Sequence, residues 1–254
     1  MTKHTHHTES RHVVIYGYTR EDLLRIMKHF QTALPEYINI EFTTKALCTH
    51  IKLVGSAPGI ELLRFNMNRY HRALADIFPE EVIALEDTSL SQILGAKLLE
   101  NELTISSAES CTGGAIAHRI VQTSGSSAYF IGSVVSYSNE VKAGVLGVDR
   151  AVIARHGAVS KQVAEAMVNG VCSLMHTDCG MATTGIAGPG GGSPAKPVGT
   201  VWIAVKYGDM VVSESRHFQG NREEVIESAS NHAMMMMLSV LKHNYQPPEY
   251  GGDE

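Results

Sequence analysis

The chain has 254 residues with 44% hydrophobic content, enough for a substantial core, and its formal net charge of -5 without a block of Lys or Arg argues against a nucleic-acid binder held by phosphate contacts. No apolar run approaches the roughly 18 residues that a membrane-spanning helix needs, so the sequence predicts no membrane segment. The four cysteines form no CxxC pair and follow no apolar signal segment, which predicts reduced thiols, no disulfide and a cytoplasmic location.

The first element of the chain is predicted to be a tail. Residues 1–12 hold four histidines and almost no apolar side chains, which favours a flexible segment outside the fold. Clustered histidines can bind metal ions, but no HExxH pattern or paired Cys/His spacing completes a ligand set downstream. The sequence therefore predicts no metal site.

Residues 13–87 follow the order βαββαβ. Apolar residues at helical spacing predict helices at 21–34 and 58–78, the first ended by Pro35. The predicted strands cover 12–16, 38–42, 47–54 and 82–85. This order predicts a small α+β module of the ferredoxin-like type, and the polar segment 86–89 marks its end.

Residues 88–244 are predicted to form a second domain in which strands alternate with helices. Residues 200–205 are apolar on both faces, as in a central strand of a covered sheet. The predicted fold is a three-layer α/β/α sandwich. The closing helix, 223–241, carries Met234 to Met237, for which core or interface packing is the favoured interpretation. Residues 245–254 are expected to be a second flexible tail.

A strand, a sharp turn and a helix meet at Ser110. The turn could present Ser110 as a nucleophile, with backbone amides from Cys111 to Gly114 holding an oxyanion, and Gly113 and Gly114 keeping the turn slim. The alternative is an ordinary Ser/Thr helix cap. Glu109 is either an anchor for a lysine at the site or a strand-end charge.

A second group of polar residues is Tyr137 and Lys142, at a strand end and one turn into the following helix. A helix N-terminus and burial both favour a neutral lysine, which can accept a serine proton. The alternative is a surface lysine and a packed tyrosine.

A third group is the glycine-rich loop at 184–192, which matches neither a Walker A nor a Rossmann pattern. Glycines at a strand end can expose consecutive amides that bind an anion. A flexible surface loop is the alternative, but the Ser, Thr and Pro residues around the loop favour ligand binding.

Several motifs together resemble the CinA C-terminal amidohydrolase family, the nicotinamide mononucleotide deamidases. They are AESCTGG at 108–114, YSNEVK at 137–142, HGAVS at 156–160, TGIAGPGGG at 184–192, KPVGTV at 196–201 and FQGNRE at 218–223. The resemblance covers about 101–242 and weakens before about residue 80. Residues 82–108 also resemble the end of the KH-like module of longer CinA proteins, and the large molybdopterin-binding-like domain of those proteins is not expected in this chain.

The resemblance implies hydrolysis of the carboxamide of nicotinamide mononucleotide to nicotinate mononucleotide and ammonia, in pyridine nucleotide recycling and without a metal or organic cofactor. It implies Ser110 as nucleophile, Lys142 as base and Tyr137 as an aid to proton transfer. Arg222 would meet the 5′-phosphate or a ribose oxygen. Cys111 remains an alternative nucleophile. The full set of implied substrate-binding residues is Cys111, Thr112, Gly113, Gly114, Thr184, Gly185, Gly188, Gly190, Gly191 and Arg222.

Two other functions are compatible with these residues. One is a non-catalytic nucleotide-binding or competence/damage-associated regulatory module; the filled polar motif positions favour the enzyme over it. The other is nucleic-acid binding by the first module, against which the glycine-containing turn at 55–59 argues because it lacks Lys and Arg. The expected partners are a small nucleotide substrate and a second copy of the chain, a dimer being favoured.

Overall fold

A computed structural model of the protein describes residues 6–80 and 82–243. The chain divides into two units, Met1–Ser89 and Leu90–Glu254. The predicted tail at 245–254 and residues 1–5 of the first predicted tail lie outside the described residues. Within the described ranges, no helix combines the length and apolar content that a membrane crossing requires.

The first unit has the predicted βαββαβ order. Its elements are β1 (His7–Tyr16), α1 (Arg20–Thr32), β2 (Ile38–Lys45), β3 (Cys48–Ala57), α2 (Ile60–Ala75) and β4 (Val82–Ala84). The four strands lie in the order β2-β3-β1-β4, and every neighbouring pair is antiparallel. This arrangement confirms the ferredoxin-like type expected from the element order.

Helical spacing explains the core of this unit. Leu23 and Met27 lie four residues apart on α1, and Leu63 and Met67 do so on α2, so each pair faces the same side of its helix. All four side chains are buried in one cluster with the apolar residues of β1 and β3. The hydrophobic pattern alone therefore fixes which faces of α1 and α2 are buried.

The prediction of a flexible tail is wrong for residues 7–12. Strand β1 begins at His7 and pairs with β3 from His7 opposite Ala57 to Tyr16 opposite Cys48. Backbone hydrogen bonds hold this polar half of the strand, and the Glu9 carboxylate adds an ion pair with Arg64 at 2.8 Å. Because these interactions do not require apolar side chains, a hydrophobic pattern does not report them.

The second unit contains one mixed five-stranded sheet. Its elements are α3 (Leu90–Glu100), β5 (Ile105–Glu109), α4 (Ala115–Val121), a short 3-10 helix (Ser126–Ala128), β6 (Phe130–Val135), α5 (Asn139–Gly144), α6 (Arg150–His156), α7 (Lys161–Met175), β7 (Cys179–Gly185), β8 (Thr200–Tyr207), β9 (Met210–His217) and α8 (Arg222–His243). The strand order is β6-β5-β7-β8-β9. Strand β5 is parallel to its neighbours β6 and β7, whereas β8 is antiparallel to its neighbours β7 and β9.

Helices cover both faces of this sheet, which confirms the predicted three-layer sandwich. Helix α7 packs on small strand residues, Ala108, Ala182 and Ala204, which allow a helix to approach closely. Helix α8 contacts β7 and β8 and also packs against α3 and α4. On α8, three of the four consecutive methionines are buried: Met234, Met236 and Met237.

The strand order creates a crevice at one edge of the sheet. From β5 the chain crosses to β6 on one side, and it then continues to β7 on the other side of β5. The carboxyl ends of these three parallel strands meet at the same edge, where ligands bind in open α/β sheets. Ser110, Ser136 and Thr184 all lie at this edge.

Candidate active site

Ser110 lies in the turn that joins β5 to α4. Its amide donates to the carbonyl oxygen of Thr183 at 3.0 Å, and its carbonyl oxygen accepts from the amide of Gly113 at 3.2 Å. Gly113 and Gly114 have φ angles of +61° and +102°, in the left-handed region where glycine is strongly favoured. The turn therefore requires these two glycines for its shape.

Lys142 contacts Ser110. The Nζ atom of Lys142 lies 2.9 Å from Ser110 Oγ, 2.7 Å from Ser136 O and 3.4 Å from Tyr137 O. The lysine side chain is only 1% exposed, and it has no carboxylate partner among the described residues. Burial lowers the pKa of Lys142. In the neutral amine, two carbonyl oxygens can hold the two N–H groups, which leaves the lone pair for the Ser110 hydroxyl.

Local sequence explains where Lys142 lies. Ser138 caps α5, and its hydroxyl accepts from the amide of Val141 at 3.3 Å, so the helix begins at Asn139 as the sequence predicts. Lys142 then lies one turn along α5, close enough for its side chain to reach back to the end of β5.

Glu109 is the last residue of β5, as the strand-end alternative expected, but its side chain is fully buried. No contact joins it to Lys142 among the described atoms, so it does not anchor the lysine. Its carboxylate oxygens accept hydrogen bonds from the turn and the start of α4. These donors are Thr112 Oγ1 at 2.8 Å and the amides of Gly114, Ile116 and Ala117 at 2.9, 3.1 and 2.9 Å. From the strands β5 and β6, the Ser107 and Ser133 hydroxyls each donate to Glu109 Oε1 at 3.4 Å.

Three of the predicted substrate-binding residues have internal partners instead. The Thr112 hydroxyl lies between Glu109 and Thr183, and the amides of Gly113 and Gly114 bond Ser110 O and Glu109. None of Thr112, Gly113 and Gly114 lines the cavity beside Ser110. Within the described chain, the Cys111 and Thr112 amides are the two in this turn that donate to no other residue.

A cavity of about 270 Å³ opens beside Ser110. Ten of its lining residues were predicted as site residues: Ser110, Cys111, Tyr137, Lys142, Thr184, Gly185, Gly188, Gly190, Gly191 and Arg222. Five were not: Asn139, Ala158, Val159, Ile186 and Ala187. The fold thus brings together the ends of three strands and the glycine loop around one space.

Arg222 links two walls of this cavity. Its guanidinium donates to Gly188 O at 2.7 Å and to the Tyr137 hydroxyl at 3.2 Å. The phenol of Tyr137 therefore pairs with Arg222, and its carbonyl oxygen is the group that contacts Lys142. Among described residues Arg222 forms no ion pair, so its charge is available to an anion in the cavity.

The segment 156–160 reaches the site through contacts that the sequence patterns did not predict. Thr184 Oγ1 donates to Ala158 O at 2.8 Å, and Lys196 Nζ donates to Val159 O at 2.6 Å and to His156 O at 3.2 Å. These bonds hold the segment against β7 and the glycine loop. Two of the quoted motifs, HGAVS and KPVGTV, contain these residues and are the signal that could have identified them.

Cys111 lines the cavity, but its thiol is poorly suited to attack. Burial raises the pKa of Cys111 to about 12, an effect larger than the opposing influence of Lys142. A thiol with this pKa carries almost no thiolate at neutral pH.

Comparisons with known proteins match most of this chain. The model of the CinA C-terminal domain matches residues 87–241. A CinA-like protein from Flavobacterium psychrophilum is 37% identical over 236 residues, covering 92% of this chain and 56% of that protein. A putative competence-damage inducible protein from Moorella thermoacetica is 43% identical over 161 residues, covering 63% of this chain and 39% of that protein. The chain thus spans about half or less of these relatives.

The alignment with the Flavobacterium protein covers 92% of this chain, so it extends well into the first unit, beyond the range 101–242 over which the motifs resemble the family. A hydrophobic pattern with few polar motifs gives little basis for recognising such a match by eye.

Solved structures match about three fifths of this chain. The competence/damage inducible protein CihA from Agrobacterium tumefaciens is 36% identical with a TM-score of 0.58, covering 59% of this chain and 93% of that chain. A CinA superfamily protein from Klebsiella pneumoniae is 31% identical with a TM-score of 0.59, covering 61% of this chain and 99% of that chain. Together with the match over 87–241, these findings show that the chain belongs to the CinA C-terminal domain family.

Proposed function

We propose that the chain hydrolyses the carboxamide of nicotinamide mononucleotide, releasing nicotinate mononucleotide and ammonia. The observation that carries the proposal is the 2.9 Å contact between Lys142 Nζ and Ser110 Oγ. A buried lysine without a carboxylate partner is a suitable base for a serine hydroxyl at neutral pH.

The first step is attack on the amide. Lys142 accepts the hydroxyl proton of Ser110 while Oγ forms a bond to the carbonyl carbon. The negative charge moves to the carbonyl oxygen, which accepts from the amide of Cys111, a residue that lines the cavity and whose amide donates to no other residue in the described chain. A donor that is already in place stabilises this charge without reorganisation.

The second step releases ammonia and then the acid. Protonated Lys142 gives its proton to the amide nitrogen, the C–N bond breaks, and an acyl ester remains on Ser110. Water attacks this ester, Lys142 accepts the water proton, and that proton returns to Ser110 as the nicotinate leaves. The sum is one amide and one water converted to one carboxylic acid and one ammonia.

Arg222 and the glycine loop suit the anionic end of the substrate. The guanidinium is fixed by Gly188 O and the Tyr137 hydroxyl at the cavity wall, with further N–H groups to offer a phosphate. Gly190 and Gly191 line the same wall. In this proposal the Tyr137 phenol supports Arg222, and the Tyr137 carbonyl helps to orient Lys142.

The experiment is ammonia release by the purified chain from nicotinamide mononucleotide, compared with nicotinamide, glutamine and NAD. We expect release from the mononucleotide and much slower release from nicotinamide, which lacks the phosphate. If micromolar protein releases no ammonia from any of these amides but calorimetry detects binding of the mononucleotide, the catalytic proposal fails and the chain is a nucleotide-binding module.

A further inference from the structure

The carboxyl group of Glu109 is buried among neutral donors. The side chain has no exposed surface, and it forms no ion pair with a cation in the described part of the chain. Three backbone amides and the Thr112 hydroxyl donate to it at 2.8 to 3.1 Å. Burial of a carboxylate is tolerated only where such hydrogen bonds compensate its desolvation, so Glu109 requires these donors to stay in place.

The same bonds determine the shape of the nucleophile turn. Glu109 is directly before Ser110, and its carboxylate reaches forward to residues up to Ala117, so it closes the turn on itself. Thr112 extends the contact to β7, because its hydroxyl lies 2.7 Å from Thr183 Oγ1. The turn is thereby attached to β5 through Glu109 and to β7 through Thr183.

Closing the turn in this way has a consequence for chemistry. Glu109 accepts from the amides of Gly114, Ile116 and Ala117, while those of Cys111 and Thr112 donate to no other residue in the described chain. Of these two residues, Cys111 lines the cavity beside Ser110, where an oxyanion would form during attack by Ser110. The carboxylate thus holds the amides that shape the turn and leaves the Cys111 amide to bind a substrate oxygen.

We propose that Glu109 is a positioning residue for catalysis, which holds the Ser110 turn so that Oγ meets Lys142 and the amide of Cys111, a residue that lines the cavity, faces the substrate. This inference rests on the proposed function but concerns a residue that touches neither substrate nor Lys142. Misplacement of a reacting group by about 1 Å costs on the order of 100-fold in rate.

The test compares Glu109→Gln with Glu100→Gln, an isosteric control at an exposed position on α3. The Glu109→Gln change would place a side-chain amide nitrogen against backbone donors. We expect kcat to fall about 100-fold with KM within about twofold, and a folded protein by circular dichroism. Hydrogen exchange of the peptide 108–120 should accelerate about tenfold or more in Glu109→Gln and remain unchanged in Glu100→Gln.

Two further measurements keep the outcomes distinct. Modification of Ser110 by phenylmethylsulfonyl fluoride, followed by mass spectrometry, measures activation of the serine without a natural substrate and should slow about tenfold or more in Glu109→Gln. If the wild type releases no ammonia, the proposed function fails, and exchange and modification rates still decide the role of Glu109. A folded Glu109→Gln with wild-type kcat, exchange and modification overturns the inference.

If Glu109→Gln does not fold, Thr112→Val takes its place. This isosteric change keeps the carboxylate and removes one donor to it, together with the link to Thr183. We expect kcat to fall about fivefold, matching one neutral hydrogen bond, with faster exchange in 108–120. Wild-type values for both measurements in a folded Thr112→Val overturn the inference.

Discussion

The amide of Ser136 donates to the carbonyl oxygen of Glu109 at 2.8 Å. This bond joins the segment that carries Ser110 to the segment whose carbonyl oxygens accept from Lys142. Ser110 follows Glu109 directly, and Ser136 O accepts from Lys142 Nζ at 2.7 Å. The geometry of the pair thus depends on hydrogen bonds between neighbouring parallel strands. Sites built on such rigid elements hold their groups more accurately than sites on loops.

Substitution of each candidate nucleophile by alanine should show whether Ser110 or Cys111 attacks the amide. Ser110→Ala should lower kcat by roughly 10⁴-fold or more, because it removes the attacking atom. Cys111→Ala should keep kcat within about threefold, because the buried thiol, with its pKa raised to about 12, is not ionised at neutral pH. Steady-state ammonia release measures both. An inactive Cys111→Ala beside an active Ser110→Ala would assign the nucleophile to the thiol.

The pH profile should report Lys142. Burial lowers its pKa, and only the neutral amine accepts the Ser110 proton, so kcat/KM should rise with pH as Lys142 loses its proton and level off below the ordinary lysine pKa of about 10.4. Lys142→Arg, which stays protonated, should lose about 10²-fold to 10⁴-fold at every pH. A wild-type profile that rises only near pH 10.4 would contradict a depressed pKa.

Tyr137 and Arg222 should affect binding more than chemistry. Tyr137→Phe removes the hydroxyl that accepts from Arg222 at 3.2 Å, and we expect KM to rise about fivefold to tenfold with kcat within about twofold. Arg222→Lys should raise KM by about tenfold or more. The control is Arg216→Lys, an exposed residue of β9 paired with Glu214. A large fall in kcat for Tyr137→Phe would instead support its phenol in proton transfer.

Close packing of α7 on the segment after α5 should make Gly170 sensitive to substitution. A Cβ at Gly170 would overlap the carbonyl oxygen of Leu146, whereas a Cβ at Gly144 would meet nothing nearby. We expect Gly170→Ala to lower the free energy of unfolding by about 2 kcal/mol and Gly144→Ala to change it by less than about 0.5 kcal/mol. Urea denaturation measures both. Equal stabilities would contradict this packing.

Much of the secondary structure follows from the sequence because periodicity reports burial directly. The helical spacing of Leu23 and Met27 and the cap at Ser138 predict α1 and the start of α5. Strand β1 was only half predicted, because residues His7 to His12 are held by backbone pairing and ion pairs. Local sequence patterns do not predict such backbone hydrogen bonds between residues that are distant in the sequence.

The sequence by itself determined the element order, the sandwich class and the motif positions at strand ends, because these depend on local spacing and on apolar patterning. Only the tertiary structure decided which polar groups meet. Lys142 reaches Ser110 across 32 positions, and Arg222 reaches Tyr137 across 85. Glu109 turned out to hold the turn beside it rather than the lysine. Hydrogen bonds depend on distances of a few tenths of an ångström, and these are set only when strands and helices pack together.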